Sequence, residues 1–215
     1  MLKLLVFDWD GTLANSLETI FICKTSLAKK YGLPLPTKEL VKEALSKKFE
    51  EALKLCFPNT TQDILGKFGQ EFHAVMQQPE YQAPLFPSVK LMLSNVKKQG
   101  LKLAIATSKH RQELDSALIH HDLSHMFDIT CCGEEYKEKP DPLMLQHMMD
   151  KFNLQPVEAL MIGDTTTDML FATQAGIRTI GVTFGTHSPV KLMAFHPIAL
   201  IDTWTQLPQV IKTLC

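Results

Sequence analysis

Leu4-Leu5-Val6-Phe7-Asp8-Trp9-Asp10-Gly11-Thr12-Leu13 decides the reading of this chain. Four consecutive apolar residues mark a strand buried on both faces, as in a parallel sheet. Open α/β sheets place their ligands at the carboxyl ends of such strands, and here that end carries Asp8. Asp10 follows two residues later. A turn at Gly11 can bring Asp10 round to the same pocket, although side chains alternate along an extended strand. Two crowded carboxylates repel unless a cation or proton sits between them, so the pair points to a metal site or an acid/base pair.

Further strand ends carry more polar groups. Leu101-Lys102-Leu103-Ala104-Ile105-Ala106 ends at Thr107-Ser108, and Lys139-Pro140-Asp141-Pro142 lies in a loop beyond the apolar stretch Met126 to Cys131. Ala159-Leu160-Met161-Ile162 runs into Gly163-Asp164-Thr165-Thr166-Thr167-Asp168. This order of strand-DxDGT, strand-T/S, loop-K and strand-GDxxxD resembles the haloacid dehalogenase superfamily, most closely its phosphoglycolate phosphatase-like branch. The resemblance runs essentially end to end, through Gly176 to Gly185. It implies a magnesium-dependent phosphatase acting on a small phosphorylated metabolite.

Around these strands the pattern is that of an α/β protein, a doubly wound parallel sheet with an inserted all-α cap. Asn15 and Glu18 have capping-box spacing, and apolar stripes follow at helical period from Leu17 to Tyr31. Thr37 can cap a second helix, and two further helical stripes end near Met76. Four helices without a strand between residues 15 and 83 match the cap that the family inserts after its first motif. The core is then 1–14 and 84–215, where helices and strands alternate as parallel sheets with right-handed crossovers require. Linkers are expected at Ala14 and at Pro84-Leu85-Phe86-Pro87.

The resemblance implies Asp8 as nucleophile, with the magnesium ion held by Asp8, Asp164 and the main-chain carbonyl of Asp10. Asp168 is expected to hold a metal-bound water or Lys139, or else to be an acid placed by the helix dipole. Asp10 fits general acid and base. The superfamily's dehalogenases lack that second aspartate and the metal, so its presence disfavours carbon–halogen cleavage. Thr107 and Lys139 would stabilise the transferring phosphoryl group. Gly11, Thr12 and Ser108 complete the expected substrate-binding set.

Substrate choice is expected from the cap, where the sequence departs from the family pattern. Lys47 and Lys48 stand where a glycine-containing turn is usual; they reach a second anion on the substrate or lie on a solvated helix junction. Ser88 likewise replaces a glycine. A sugar-phosphate mutase, a phosphonate-cleaving hydrolase and an inactive binding protein on the same fold are the competing readings. The last would be expected to lose one of Asp8, Asp10, Lys139 or Asp164.

Composition narrows the rest. The 215 residues are 45% hydrophobic, enough for a substantial core. A net charge of −1 without a long basic run argues against nucleic-acid and membrane partners. The five cysteines include no CxxC pair, so neither a zinc site nor a disulfide framework is expected. The immediate entry into the first strand leaves no room for a signal peptide, so a soluble cytoplasmic protein is expected. His121 and His125 have the spacing of a zinc pair but no acidic partner motif; they and His187 are read as helix, turn and loop residues.

Overall fold

The computed structural model of the chain describes residues 1–214. The first apolar run forms β1 (Leu4–Phe7), in which every residue is buried. It lies between β2 (Lys102–Thr107) and β4 (Ala159–Gly163), pairing Phe7 with Ile105 on one side and with Ile162 on the other. With β3 (Ile129–Cys132), β5 (Arg178–Val182) and β6 (Ala199–Ile201) they form one parallel sheet of order β3-β2-β1-β4-β5-β6. Chain direction of winding reverses at β1, and ligands bind outside the carboxyl ends of strands at such a switch point.

Alternation along the strands sends side chains to two apolar layers. Leu5, Phe7, Leu103 and Ile105 pack with α5 (Val89–Lys98), α6 (Arg111–His120) and α10 (Leu207–Lys212). Leu4, Val6, Ala104 and Met161 face α7 (Leu143–Phe152) and α8 (Thr166–Gln174). The short α9 (Pro189–Met193) buries Leu192 beside β5.

A third apolar core belongs to α1 (Leu17–Lys30), α2 (Lys38–Ala44), α3 (Phe49–Cys56) and α4 (Gln62–Met76), centred on Leu53, Phe57, Phe68 and Phe72. The two chain crossings into this helical layer run side by side. Asn15 N donates to Pro84 O at 2.8 Å, and Phe86 N to Leu13 O at 2.9 Å.

Local details follow residue chemistry, with one exception to the sequence reading. Thr37 caps α2 by accepting from Leu40 N. The cap position of α1, however, is Ser16 rather than Asn15, and no side chain caps that end. Asn15 is held instead by its backbone bond to Pro84, which fixes it in the crossing before the helix begins. Ser88, at the start of α5, has φ 68°, in the left-handed region where glycine is favoured. Cys131 and Cys132 are buried strand residues, and Cys23 and Cys56 are also free. No helix among the described residues is long and apolar enough to cross a membrane.

Candidate active site

Asp8 continues β1 by one residue, its N–H donating to Ile162 O at 3.0 Å, so the ladder itself sets its direction. Gly11 then turns the chain at φ 86°. A side chain there would place its Cβ 2.2 Å from Asp164 Oδ2, so the position excludes every other residue. That close approach lets Thr12 Oγ1 donate to Asp164 Oδ1 at 3.0 Å, while Thr186 N donates to Oδ2 at 2.7 Å.

Asp168 sits at the first turn of α8, where Thr165 and Asp168 cap one another reciprocally. Its other oxygen, Oδ1, accepts from Lys139 Nζ at 2.7 Å, and the same ammonium donates to Asp8 Oδ1 at 2.7 Å. Gly163 is needed here too: a Cβ would lie 2.4 Å from Asp168 Cβ. Asp8, Asp164, Asp168 and Lys139 are all buried.

Their electrostatics follow from that burial. Burial pushes the Asp8 carboxyl well above the usual carboxylate range; Lys139 opposes this, while Asp168 and Asp164 add to it. Asp164 is raised to about 6, first by burial and then by Asp168, against the hydrogen bonds from Thr186 and Thr12. For Lys139, burial acts to remove the proton, but Asp168 and Asp8 outweigh it and hold the ammonium above its ordinary pKa.

The three carboxylates each offer an oxygen within 4.8 Å of the others. Fully ionised, three carboxylates against one ammonium leave two negative charges. A hard divalent cation preferring oxygen ligands fits both the donor type and that excess. Asp8 Oδ2 has no hydrogen-bond donor among the described residues and is available to such an ion or to a substrate.

A pocket opens between this sheet edge and the helical layer. Asp8, Asp10, Ser108 and Lys139 line it from the core side, and Lys47 and Lys48 from the helical side. Both lysines are exposed to solvent while bordering it. Gly11, Thr12 and Thr107 do not line it: Thr12 is turned to Asp164, and Thr107 Oγ1 accepts from Lys109 N at 3.2 Å.

Five residues that the sequence reading passed over also border the pocket: Lys24, His73, Lys109, Glu113 and Glu138. Lys109 Nζ lies 3.2 Å from Asp10 Oδ2 and 3.5 Å from Glu113 Oε2. Burial disfavours its charge, but Asp10 and Glu113 overturn that and raise its pKa. Glu113 reaches across to α4, its Oε1 2.5 Å from His73 Nδ1. Burial acts to raise the Glu113 carboxyl, and His73 and Lys109 together hold it below its ordinary value. A second tie joins the layers: Thr167 Oγ1 donates to Ser46 O at 2.8 Å.

The histidines set aside from the sequence have structural partners. His121 Nε2 lies 2.9 Å from Ala83 O, and His187 Nδ1 accepts from Thr166 N at 3.0 Å. Neither joins a cluster of metal-ligating groups among the described residues.

The family model for haloacid dehalogenase-like hydrolases matches residues 5–182. The phosphoglycolate phosphatase of Vibrio vulnificus strain CMCP6 is 27% identical, over 98% of this chain and 96% of its own. That of Mannheimia succiniciproducens is 28% identical, over 97% and 98%. A solved Bacteroides fragilis structure, classed with the haloacid dehalogenase-like hydrolases, superposes with TM-score 0.88 at 32% identity, covering 96% of this chain and all of that one.

Proposed function

Since the chain belongs to the haloacid dehalogenase-like hydrolase family, we propose that it is a magnesium-dependent phosphatase of small phosphorylated metabolites. The observation that carries this reading is the buried Lys139 ammonium bridging Asp8 and Asp168 at 2.7 Å each, beside Asp164. That arrangement concentrates anionic oxygen at one point while keeping Asp8 Oδ2 available.

A phosphate monoester resists attack because its own oxygens repel nucleophiles. Asp8 is the nucleophile: its oxygen bonds to phosphorus as the ester's P–O bond breaks, giving an aspartyl-phosphate. Asp10, at the pocket wall, gives a proton to the departing alcohol and later takes one from the attacking water. Lys139 balances charge on the phosphoryl oxygens and keeps Asp8 aimed. Thr107, the last residue of β2, and Ser108 after it are the hydrogen-bond donors assigned to that group. Lys109 keeps the Asp10 carboxyl turned into the pocket.

Asp8, Asp164 and the Asp10 carbonyl would hold magnesium, with Asp168 behind them, and the ion supplies charge neutralisation at the phosphate. Residues 15–83 act as a cap, with 1–14 and 84–215 as the catalytic core. The cap closes the pocket, and Lys47 and Lys48 lie at its rim. Phosphoglycolate is the first substrate to try, because the named relatives carry that activity in their names.

A screen of phosphate esters with purified protein and magnesium, reading inorganic phosphate, tests the reading. Release is expected from at least one small ester and is absent in Asp8→Asn. Isomerisation of a sugar phosphate without net phosphate release would favour a mutase, and no turnover of any ester would remove the phosphatase reading.

A further inference from the structure

Lys24 stands on the inward face of α1 with Ile20, Cys23 and Leu27, two turns beyond the start of that helix. It is 97% buried and lines the same pocket as Asp8. Ile20, Phe72 and Met76 line the helical wall of that pocket with it. Its Nζ has one hydrogen-bond partner among the described residues, Cys56 Sγ at 3.9 Å, and sits 6.0 Å from the centre of the Phe72 ring.

Cys56 gives this ammonium almost nothing. Thiol sulfur is a weak acceptor, and burial raises both Cys56 and Cys23, the latter to about 12, so both remain neutral. No carboxylate lies within ion-pair distance of Lys24 among the described residues, and Glu113 is already held by Lys109 and His73. Buried lysines normally occur paired, because an unpaired buried charge is strongly disfavoured. Desolvation accordingly pulls the Lys24 pKa below its ordinary value. A pure packing role would be met better by methionine or leucine, which fill the same apolar space without a charge to bury.

We propose that Lys24 is the binding group for a second anion on the substrate, a carboxylate carried on the alcohol portion of the phosphate ester. This rests on the phosphatase reading and narrows it to acidic phosphate esters. An incoming carboxylate supplies the charge partner that Lys24 lacks, in a water-poor pocket where a charge-assisted hydrogen bond is strong. The apolar wall of Ile20, Phe72 and Met76 then accommodates the carbon spacer between the two anions.

Lys24→Met keeps most of the side chain's length and removes its charge. It should lower kcat/KM on carboxyalkyl phosphates by roughly 10- to 100-fold, mainly through KM. Hydrolysis of a neutral aryl phosphate should be unchanged, and Lys24→Arg should restore part of the loss. The melting temperature of Lys24→Met should rise, since an unpaired buried charge is replaced by an apolar group. Equal losses on both ester classes, or no loss on either, would overturn the proposal.

Succinate, which cannot react, separates this inference from the phosphatase reading. It should raise the melting temperature of the wild type and not of Lys24→Met. If the wild type hydrolyses none of the esters, the phosphatase reading falls and succinate still decides the subsite. Equal stabilisation of both proteins, or of neither, would reject it.

Discussion

The two walls of the pocket are built on opposite principles. On the sheet side, the buried charged groups have an opposite charge or a set of donors: Lys139 serves Asp8 and Asp168, and Thr12 and Thr186 serve Asp164. On the helical side, Lys24 is buried against a thiol and an aromatic ring, and Lys47 and Lys48 stand open to solvent. A closed, mutually satisfied network holds reacting groups in one geometry, as catalysis requires. An unsatisfied wall leaves its binding capacity to a ligand. The difference is the one the proposed function calls for, with reacting groups on the sheet edge and substrate selection on the helices.

Removing Asp8 should produce the largest effect. Asp8→Asn should lower turnover by several orders of magnitude, as loss of a covalent nucleophile does. Its melting temperature should not fall, because a carboxylate that burial opposes becomes a neutral amide. Matched rates in wild type and variant would erase the assigned role of the sheet wall.

Lys139→Met attacks the same wall through the cation that Asp8 and Asp168 share. Asp8 and Asp168 would be left buried without their partner, a change that typically costs 3–5 kcal/mol, roughly. Urea denaturation without magnesium should show a loss of about that size, and saturating magnesium should restore part of it. A loss within about 0.5 kcal/mol, the range of ordinary surface substitutions, would mean that the triad does not hold the site together.

Glu113→Gln tests the joint between the walls. The folded Glu113 carboxyl lies below its unfolded value, so its stabilisation is present above the unfolded pKa of about 4.3 and is lost as pH falls through the lower, folded value. The variant should therefore be less stable than wild type at pH 7, with the gap closing below about pH 4. A gap independent of pH would indicate a packing effect alone.

The smallest effect concerns metal and proton at one carboxylate. Asp164 is raised to about 6, so its proton-linked stabilisation is complete below the unfolded pKa and is lost as pH rises through about 6. Magnesium binds the ionised form, so the gain in melting temperature on adding it should be largest above pH 7 and shrink as pH falls through about 6. A gain that does not change between pH 5 and pH 8 would place the metal elsewhere.

The two walls were also unequally legible in the sequence. Asp8 and Asp164 each follow a strand directly and Thr107 ends one, and strands announce themselves as short apolar runs; the parallel sheet could be read for the same reason. Lys139 stood out through the proline on each side of its aspartate neighbour. Thr12 was expected toward substrate, yet only the close packing at Gly11 shows its hydroxyl spent on Asp164. Lys109 could have been found, since it follows Thr107-Ser108 and precedes Glu113 by one helical turn. Lys24 could have been found too, since it stands four residues after Ile20 and three before Leu27, on the apolar stripe of α1; His73 left no such signal. It looks in sequence like a polar member of an amphipathic helix, and tertiary packing decides that it borders the pocket.

The covalent role of Asp8 is tested most directly by acid-quenching the wild type during turnover of a phosphate ester and mapping the phosphoryl group by peptide mass. A phosphoryl adduct on Asp8, absent from Asp8→Asn and formed before steady-state phosphate release, is the expected result. Steady product formation with no adduct on Asp8, on a time scale that resolves the first turnover, would contradict it.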